Sequence, residues 1–384
     1  MVQNKALIYA AHPTEKPIIG EHLKIESRDF DENQAPPSGG ITVKINYVSF
    51  DPYQRGRMRD PKVKSYAPPF ELGKPVTNSA IGTVLKSDND KFKSGDVLEL
   101  GRTWTEEYTA FSKEQADACK LLDNRYNLDP KIFIGALGMP GLTAYSSLYE
   151  IGAPKKGETI FISAASGAVG QLVGQLAKHE GLAVIGSVGD DKKLDFITKD
   201  LGFDGGFNYK KEKPLDALQR LAPDGIDIYY ENVGGEQLEA SIAHMKPFGR
   251  IVACGMISQY NIPPEKHYGV KNLMQVVGKR IKMQGFIVGD KSKCHAMRLW
   301  TDEWVTNRCL IQTWDRSTLR SIRRTCRSGF MMGRSRLRCR SRMVLTMPLR
   351  VCLACLRVRT LVRRCWRSAS CELPRTPALC VADR

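Results

Sequence analysis

The sequence predicts an α/β protein with two domains, a β-rich, partly open barrel followed by a doubly wound parallel sheet. Three observations support this class. Residues 5–125 alternate short apolar runs with turns. From about residue 130, strand-like and helix-like segments alternate. Near Asp290 the composition changes abruptly. We therefore divide the chain of 384 residues into 1–128, 129–290 and an aberrant tail, 291–384.

The first domain is predicted from short apolar runs separated by turn-forming residues. Glycines at 39–40, the sequence Ser94-Gly95-Asp96 and a proline-rich stretch over 61–75 interrupt the apolar pattern. Runs of this length between turns are typical of barrel strands rather than helices. The expected strands are Lys5–Ala10, Ile41–Phe50, Ala80–Leu85 and Val97–Leu100.

The second domain is predicted from strands and helices that follow one another at short intervals. A helix-like segment, Ile132–Glu150, precedes them. Alternation at this spacing indicates parallel strands joined by crossover helices. The expected strands are Thr159–Ser163, Ala183–Ser187, Gly206–Tyr209, Ile226–Glu231 and Gly249–Cys254, and the expected helices are Val169–Glu180, Lys192–Leu201, Pro214–Leu221 and Glu236–Met245.

The formal charge of +17 belongs entirely to the tail. Residues 291–384 hold 20 Arg and 2 Lys against 5 acidic residues, whereas 1–290 hold 36 basic and 36 acidic residues. The two domains therefore carry no signature of a nucleic-acid partner. They keep only Cys119 and Cys254, which fits a reducing compartment. No signal peptide and no apolar run of membrane-spanning length is visible, so we expect a cytosolic protein without a membrane partner.

The strongest chemical motif lies where the predicted strand at 159–163 meets the next helix. The turn Ala164-Ala165-Ser166-Gly167-Ala168-Val169-Gly170 carries two glycines that let the backbone approach a pyrophosphate. The N-terminus of the following helix offers unpaired N–H groups to the same anion. A turn of this type also occurs as a plain strand-to-helix connection. Its position within a β-α-β run favours dinucleotide binding.

The residues after the next strand favour NADPH as the cofactor. NAD-binding domains place a carboxylate there to hold the ribose 2′-hydroxyl. This chain instead has Gly186-Ser187-Val188-Gly189, followed by Lys192 and Lys193. Lysines without a carboxylate suit a 2′-phosphate, although both could be solvated helix residues. Asp190 and Asp191 argue against this interpretation.

Neither a zinc site nor a nucleophile triad is expected. The domains contain no Cys-x-x-Cys cluster, and their His residues are scattered along the chain as His12, His22, His179, His244 and His267. We expect these histidines to be surface or hydrogen-bonded core residues. The reaction would then depend on hydride from the cofactor, with the protein supplying orientation and oxyanion stabilisation.

Five motifs occur in order along residues 1–290. They are Phe50-Asp51-Pro52-Tyr53-Gln54-Arg55-Gly56-Arg57-Met58, Leu142-Thr143-Ala144-Tyr145, the turn 164–170, Tyr230-Glu231-Asn232-Val233-Gly234-Gly235 and Cys254-Gly255-Met256-Ile257-Ser258-Gln259-Tyr260-Asn261. Together they resemble one family, the alkenal double-bond reductase and prostaglandin reductase branch of the zinc-free medium-chain dehydrogenases. The resemblance covers residues 1–290 and implies a GroES-like catalytic domain and a Rossmann domain.

The resemblance implies a set of NADPH-binding residues. The pyrophosphate would lie on the turn after the first strand of the second domain, and the 2′-phosphate would lie beside the following strands. Two further loops would line the cofactor and its nicotinamide. In this order, the implied residues are Gly167, Ala168, Val169 and Gly170; Lys193 and Tyr209; Asn232, Cys254, Gly255, Ser258 and Tyr260; and Phe286, Ile287 and Val288.

The resemblance also implies that Tyr53 and Tyr260 face the carbonyl group of an enal or enone substrate. Hydride addition to the β-carbon leaves an enolate, and a phenol that donates a hydrogen bond stabilises this charge, a role expected of Tyr260. Each tyrosine could instead be an aromatic residue of the core or rim. A quinone oxidoreductase of the same fold is the alternative enzyme, and a non-catalytic product of the aberrant chain is the alternative outside that class. Whether the protein forms a homodimer is left open.

The tail is interpreted as a shifted reading frame. Between Trp314 and Trp366, the third base of each codon joined to the first two bases of the next can encode a globular sequence. Phe330-Met331-Met332-Gly333-Arg334-Ser335-Arg336, for example, becomes HDGSFK. The continuation contains GKNFGK, which resembles the C-terminal motif of the family. The tail has no periodic apolar face, so as written it is expected to lack packed structure. The competing interpretation is a basic arm that binds nucleic acid or membrane.

This hypothesis predicts the nucleotide sequence. Genomic DNA and cDNA across codons 285–370 should contain an open second frame with HDGSFK and GKNFGK, and a retained intron over about residues 291–313. The 384-residue chain should be poorly soluble, whereas the frame-corrected protein should be soluble, because only the latter buries a consistent apolar face. An active product translated from cDNA in the present frame would contradict the hypothesis.

Overall fold

The computed structural model describes residues 1–125 and 127–289. The tail, and with it the reading-frame hypothesis, lies outside the described residues. The described chain forms an antiparallel N-terminal part and a parallel C-terminal part, as the sequence predicts for the fold class. No helix in these two ranges has the length and apolar character needed to cross a bilayer.

The N-terminal part contains two antiparallel sheets. One pairs β1 with β2, and the other has five strands in the order β6-β3-β4-β5-β7. The sequence analysis missed β2, β6 and β7. Strand β2 is exposed along most of its length and therefore shows no apolar alternation. The elements are β1 Val2–Tyr9, β2 Leu23–Phe30, β3 Ile41–Val48, α1 Gln54–Arg57, β4 Thr77–Ser87, β5 Val97–Trp104, β6 Tyr108–Phe111, α2 Lys113–Asp117 and β7 Lys120–Leu121.

The C-terminal part is built around a six-stranded parallel sheet in the order β10-β9-β8-β11-β12-β13. The sequence analysis missed β13 and the helix before it. The strands are β8 Thr159–Ile162, β9 Ala183–Val188, β10 Gly205–Asn208, β11 Ile226–Glu231, β12 Met245–Ala253 and β13 Lys282–Gly285. The helices are α3 Met139–Ser147, α4 Gly170–His179, α5 Asp191–Asp195, α6 Pro214–Leu221, α7 Gly235–His244 and α8 Met274–Lys279.

The single helix predicted over Ile132–Glu150 is wrong. A 3₁₀ turn, Pro130–Ile134, ends at Gly135, and α3 begins only after Gly138. The chain is too tightly folded here for a continuous helix, since a Cβ at Gly141 would lie 1.7 Å from the Ala136 carbonyl oxygen. Beyond α3 the helix continues as one π turn, Leu148–Gly152.

The parallel sheet has an apolar core on each face. Successive residues of β8 point to opposite sides, so that Ile160 and Ile162 join one core and Phe161 the other. Phe161 stacks on Tyr229 of β11 at a centroid distance of 5.0 Å. Strand order reverses between β8 and β11, because β9 and β10 lie on one side of β8 and β12 and β13 on the other. A crevice at the carboxyl ends of the strands follows from this reversal.

Close packing of α4 on the sheet predicts a size limit at Gly174. A Cβ there would lie 2.0 Å from Cζ of Phe203, a buried core residue. Gly174→Ala should lower the free energy of unfolding by about 1–3 kcal/mol, despite the better helix propensity of Ala. Urea unfolding monitored by circular dichroism measures the change.

Gly278→Ala is the matched control for this substitution. It also lies within a helix, and nothing is found within 4 Å of its Cβ position. It should leave the stability unchanged or raise it by up to about 1 kcal/mol. Equal changes in the two variants would show that packing at Gly174 is not limiting.

Candidate active site

The residues predicted to bind the cofactor lie in loops at one edge of the parallel sheet. The Ala165 N–H donates to the Ser187 carbonyl at 3.0 Å, which joins the loop after β8 to the end of β9. The Asn232 Nδ2 donates to the Ser163 carbonyl at 2.8 Å, which joins the loops after β8 and β11. The loops after β8 and β11 therefore meet beside the end of β9, where strand order reverses.

The turn before α4 has the geometry of an anion site. A Cβ at Gly170 would lie 2.5 Å from the Ala164 carbonyl oxygen, so only glycine allows this close turn. Val169 caps the helix without a side-chain hydrogen bond, and Ala168 is exposed. The first N–H groups of a helix have no acceptor within the helix, and the helix dipole favours an anion beside them. The turn can therefore hold a phosphate group through its backbone.

No carboxylate occupies the end of β9, where an NAD site would need one. The residue there, Ser187, is fully buried, and its hydroxyl donates to Oε1 of Gln237 at 2.6 Å. This hydrogen bond turns the side chain into the core between β9 and α7. The end of β9 therefore presents backbone rather than a charged acceptor to the crevice.

Asp190 and Asp191, which argued against NADPH, are both engaged in local interactions. Asp190 caps α5 by accepting the Lys192 N–H at 2.8 Å. Asp191 accepts the side-chain amide of Asn208 at 2.8 Å and forms an ion pair with Lys211. The hydrogen bond from Asn208, followed by that from Lys211, lowers the pKa of Asp191. Neither carboxylate is therefore free to hold a ribose.

Lys193 and Tyr209 both lie near the carboxyl end of β9. Lys193 is half-buried in the first turns of α5, whereas Lys192 is exposed. Tyr209 directly follows β10, and its N–H donates to the Val188 carbonyl at 3.0 Å. Because β10 pairs with β9, both residues stand beside the carboxyl end of β9.

Tyr260 lies over the loop that follows β12. Its hydroxyl is so close to the backbone that a Cβ at Gly255 would lie 2.9 Å from it. Burial raises the pKa of Tyr260, whereas a hydrogen bond from the Met256 N–H lowers it. Because burial is the larger cause, the phenol keeps its proton and can act as a hydrogen-bond donor at neutral pH.

Two further phenols lie in the same neighbourhood. Tyr53 directly precedes α1. Burial lowers the pKa of Arg57, and the electrostatic interaction with Tyr53 opposes this change. Tyr66, whose side chain is 62% exposed, interacts electrostatically with Tyr53, and Tyr260 interacts electrostatically with Tyr66. The sequence analysis missed Tyr66. The one available signal was an aromatic residue within the proline-rich stretch over 61–75.

A direct hydrogen bond connects the two parts of the chain beside these tyrosines. Nε of Arg55 in α1 donates to Oδ1 of Asn261 at 2.9 Å. The other end of the same guanidinium donates to the Glu15 carbonyl at 2.8 Å. Arg55 therefore holds α1, the segment near residue 15 and the loop bearing Tyr260 together.

The predicted nicotinamide-flanking residues follow β13, next to β12 in the sheet. Gly285 pairs with Ala253, so the chain after it runs beside the loop that begins at Cys254. Phe286 packs on the core, whereas Ile287 is 39% exposed. Across the described ranges 1–125 and 127–289, no three His, Cys, Asp or Glu side chains are grouped as metal ligands.

Comparison with known proteins gives a consistent result over both parts of the chain. Residues 6–118 match the family "N-terminal domain of oxidoreductase", and residues 168–302 match the family "Zinc-binding dehydrogenase". The chain is similar to the NADP-dependent oxidoreductase RED1 of Cochliobolus heterostrophus, with 57% identity over 290 residues covering 76% of this chain and 82% of RED1.

Two further comparisons extend this similarity. A 2-alkenal reductase (NADP(+)-dependent) of Nicotiana tabacum is 46% identical over 291 residues, which cover 75% of this chain and 82% of that protein. The crystal structure of CurA from Vibrio vulnificus in complex with NADPH superposes with a TM-score of 0.68 at 32% identity, covering 79% of this chain and 90% of CurA. This chain belongs to the medium-chain dehydrogenase/reductase superfamily, in the branch that contains the NADP-dependent, zinc-independent alkenal reductases.

Proposed function

We propose that the protein reduces the carbon–carbon double bond of α,β-unsaturated aldehydes and ketones with NADPH. The observation that carries the proposal is the half-buried, protonated Tyr260 phenol beside the loops of the dinucleotide crevice. The name of the tobacco relative, a 2-alkenal reductase that is NADP(+)-dependent, supports the same activity. A cytosolic location, a homodimer and the domain boundaries 1–128 and 129–290 stay predictions.

The described residues fit NADPH. At Gly170 a Cβ would collide with the backbone, so glycine keeps the turn close enough for its backbone to approach a pyrophosphate. The N–H groups at the N-terminus of α4 can then bind that anion. In this proposal Gly167, Ala168, Val169 and Gly170 bind that group. Lys193 and Tyr209 bind the 2′-phosphate, because the neighbouring carboxylates are engaged elsewhere.

The loops at the centre of the crevice would hold the nicotinamide half of the cofactor. Asn232 and the Cys254–Tyr260 loop, including Gly255 and Ser258, line one side of this region in the proposal. Phe286, Ile287 and Val288 follow the adjacent strand β13 and flank the ring. When bound, NADPH supplies the hydride.

Tyr260 and Tyr53 act on the substrate carbonyl in this proposal. Hydride addition to the β-carbon breaks the carbon–carbon π bond and moves its electron pair toward the carbonyl oxygen. The Tyr260 hydroxyl donates a hydrogen bond to that oxygen and stabilises the enolate. The enolate then takes up a proton at its α-carbon and becomes the saturated carbonyl compound. Tyr53 and Tyr66 would border the substrate.

Cofactor preference, measured on the frame-corrected protein, tests the role of Lys193. Lys193→Ala should weaken NADPH binding by about 10- to 100-fold and leave NADH binding nearly unchanged, because only the charge-assisted contact with the 2′-phosphate is lost. Isothermal titration with each cofactor measures the effect. Lys192→Ala, which alters the exposed neighbour in the same helix, is the matched control and should change neither affinity. A wild-type protein that uses NADH and NADPH equally well would refute the assignment.

The role of Tyr260 is tested with 4-hydroxynonenal or a simple enone as the substrate. Tyr260→Phe should lower kcat by about ten- to a thousand-fold, the loss typical of one oxyanion donor, with little change in NADPH affinity. Burial raises the pKa of Tyr260 above that of a free phenol, so its contribution should persist through neutral pH and be lost only under strongly alkaline conditions, where the phenol ionises. An unchanged kcat would return Tyr260 to a structural role. Faster turnover of a quinone than of any enal would favour the quinone oxidoreductase alternative.

A further inference from the structure

Glu231 is a buried carboxylate that the proposed reaction does not use. It is the last residue of β11 and has no exposed surface. Its Oε1 accepts hydrogen bonds from the Tyr229 hydroxyl at 2.8 Å and the Ser163 hydroxyl at 3.2 Å, and from the N–H groups of Val233 at 2.5 Å and Gly234 at 2.8 Å. Its Oε2 is buried and has no hydrogen-bond partner among the described residues.

These hydrogen bonds hold the turn that contains Asn232. Two of the four donors are the N–H groups of Val233 and Gly234, which belong to this turn. A further donor, the Ser163 hydroxyl, also forms a hydrogen bond with the turn. The Ser163 hydroxyl oxygen accepts the Asn232 N–H at 2.8 Å, and the Ser163 carbonyl accepts Nδ2 of the Asn232 side chain at 2.8 Å. The carboxylate therefore fixes the turn after β11 against the end of β8.

The same turn holds the loop that carries Tyr260. The Asn232 carbonyl accepts the Ile257 N–H at 3.0 Å. The Val233 carbonyl accepts both the N–H of Ser258 at 3.0 Å and its hydroxyl at 2.6 Å. Because Tyr260 follows two residues after Ser258, an uninterrupted series of hydrogen bonds links the Glu231 carboxylate to the backbone that places the phenol.

Burying an ionised carboxylate is energetically unfavourable, because the group loses its hydration. Burial raises the pKa of Glu231, and the four hydrogen bonds oppose that rise. Among the described residues no Lys, Arg or His side chain forms an ion pair with Glu231, so the four hydrogen bonds are its polar contacts. Three of the donors come from two segments, the end of β8 and the turn after β11, so one carboxyl group restrains both.

We propose that Glu231 is the positioning residue of this active site, holding the turn after β11 and, through it, the Tyr260 loop in the geometry required for reduction. This inference rests on the proposed function. It concerns the placement of groups and assigns no contact between Glu231 and the substrate.

The test compares the Glu231→Gln and Glu231→Leu variants with wild type, all expressed as the frame-corrected protein. Glutamine keeps the size and one acceptor oxygen but removes the charge, whereas leucine removes every acceptor. Glu106→Gln is the matched control, because Glu106 is also a buried carboxylate (2% exposed), hydrogen-bonded to Asn4 and Arg28 but remote from the crevice. Thermal melts establish that each variant is folded at the assay temperature.

Three readouts are expected to change at Glu231 and not at Glu106. Amide hydrogen exchange over residues 232–234 and 254–258 should become about ten-fold faster in Glu231→Gln, since these N–H groups lose a strong constraint. NADPH affinity, measured by fluorescence, should fall several-fold. The kcat for an enal should fall by about ten-fold in the glutamine variant and about a hundred-fold in the leucine variant, as expected for misplaced catalytic groups, with a smaller change in the substrate KM.

The outcomes separate the inference from the function on which it rests. If the wild type reduces no enal, the proposed function fails, while hydrogen exchange still decides the role of Glu231. If Glu231→Leu does not fold, Glu231→Gln decides. A folded Glu231→Gln with unchanged exchange over 254–258, or with kcat and NADPH affinity within two-fold of wild type, overturns the inference. Equal losses in Glu106→Gln would assign both residues to general stability and overturn it as well.

Discussion

The reversal of strand order between β8 and β11 is the constraint on which the site depends. The connection after β8 leads to β9 on one side of the sheet, and the connection after β11 leads to β12 on the other side. A crevice therefore opens between the carboxyl ends of β8 and β11. The gap must be lined by loops, and each loop has to satisfy its own backbone polar groups. The interactions within this crevice are consequences of that requirement.

Side chains with short polar groups meet the requirement where the loops pack together. Ser163 binds the Asn232 N–H, and Ser187 turns inward to Gln237. Glu231 accepts hydrogen bonds from the Ser163 hydroxyl after β8 and from the Val233 N–H after β11. The floor of the crevice is thus a hydrogen-bonded layer between two apolar cores, which gives the loops above it a rigid base.

In the proposed site, the preference for NADPH over NADH depends on contacts within the protein as much as on direct contacts with the cofactor. Carboxylates are present after β9, yet one caps its own helix and the other is bound by Asn208 and Lys211. A count of charges in the sequence could not distinguish these aspartates from ribose-binding ones. Their local partners remove them from the cofactor site and leave a more favourable field for a phosphate near Lys193.

The sequence by itself determined the fold class and most of the parallel sheet. Buried strands and amphipathic helices produce periodic apolar patterns in the sequence. The turn at 164–170 was recognisable because its close backbone approach requires glycine at position 170. Edge strands such as β13 were missed because their side chains remain largely exposed. The segment 132–150 was predicted as one continuous helix because apolar periodicity contains no information about close backbone contacts, such as the one between Gly141 and the Ala136 carbonyl oxygen.

Only the tertiary structure decided which polar residues work together. Ser163 and Asn232 are 69 positions apart, and Arg55 and Asn261 are 206 positions apart, yet each pair is hydrogen-bonded. Tyr66 and Glu231 acquire their significance in the same way, from neighbours supplied by distant segments. Local patterns record whether a side chain is buried, whereas a hydrogen bond depends on the direction and distance of a partner that only the folded chain brings into reach.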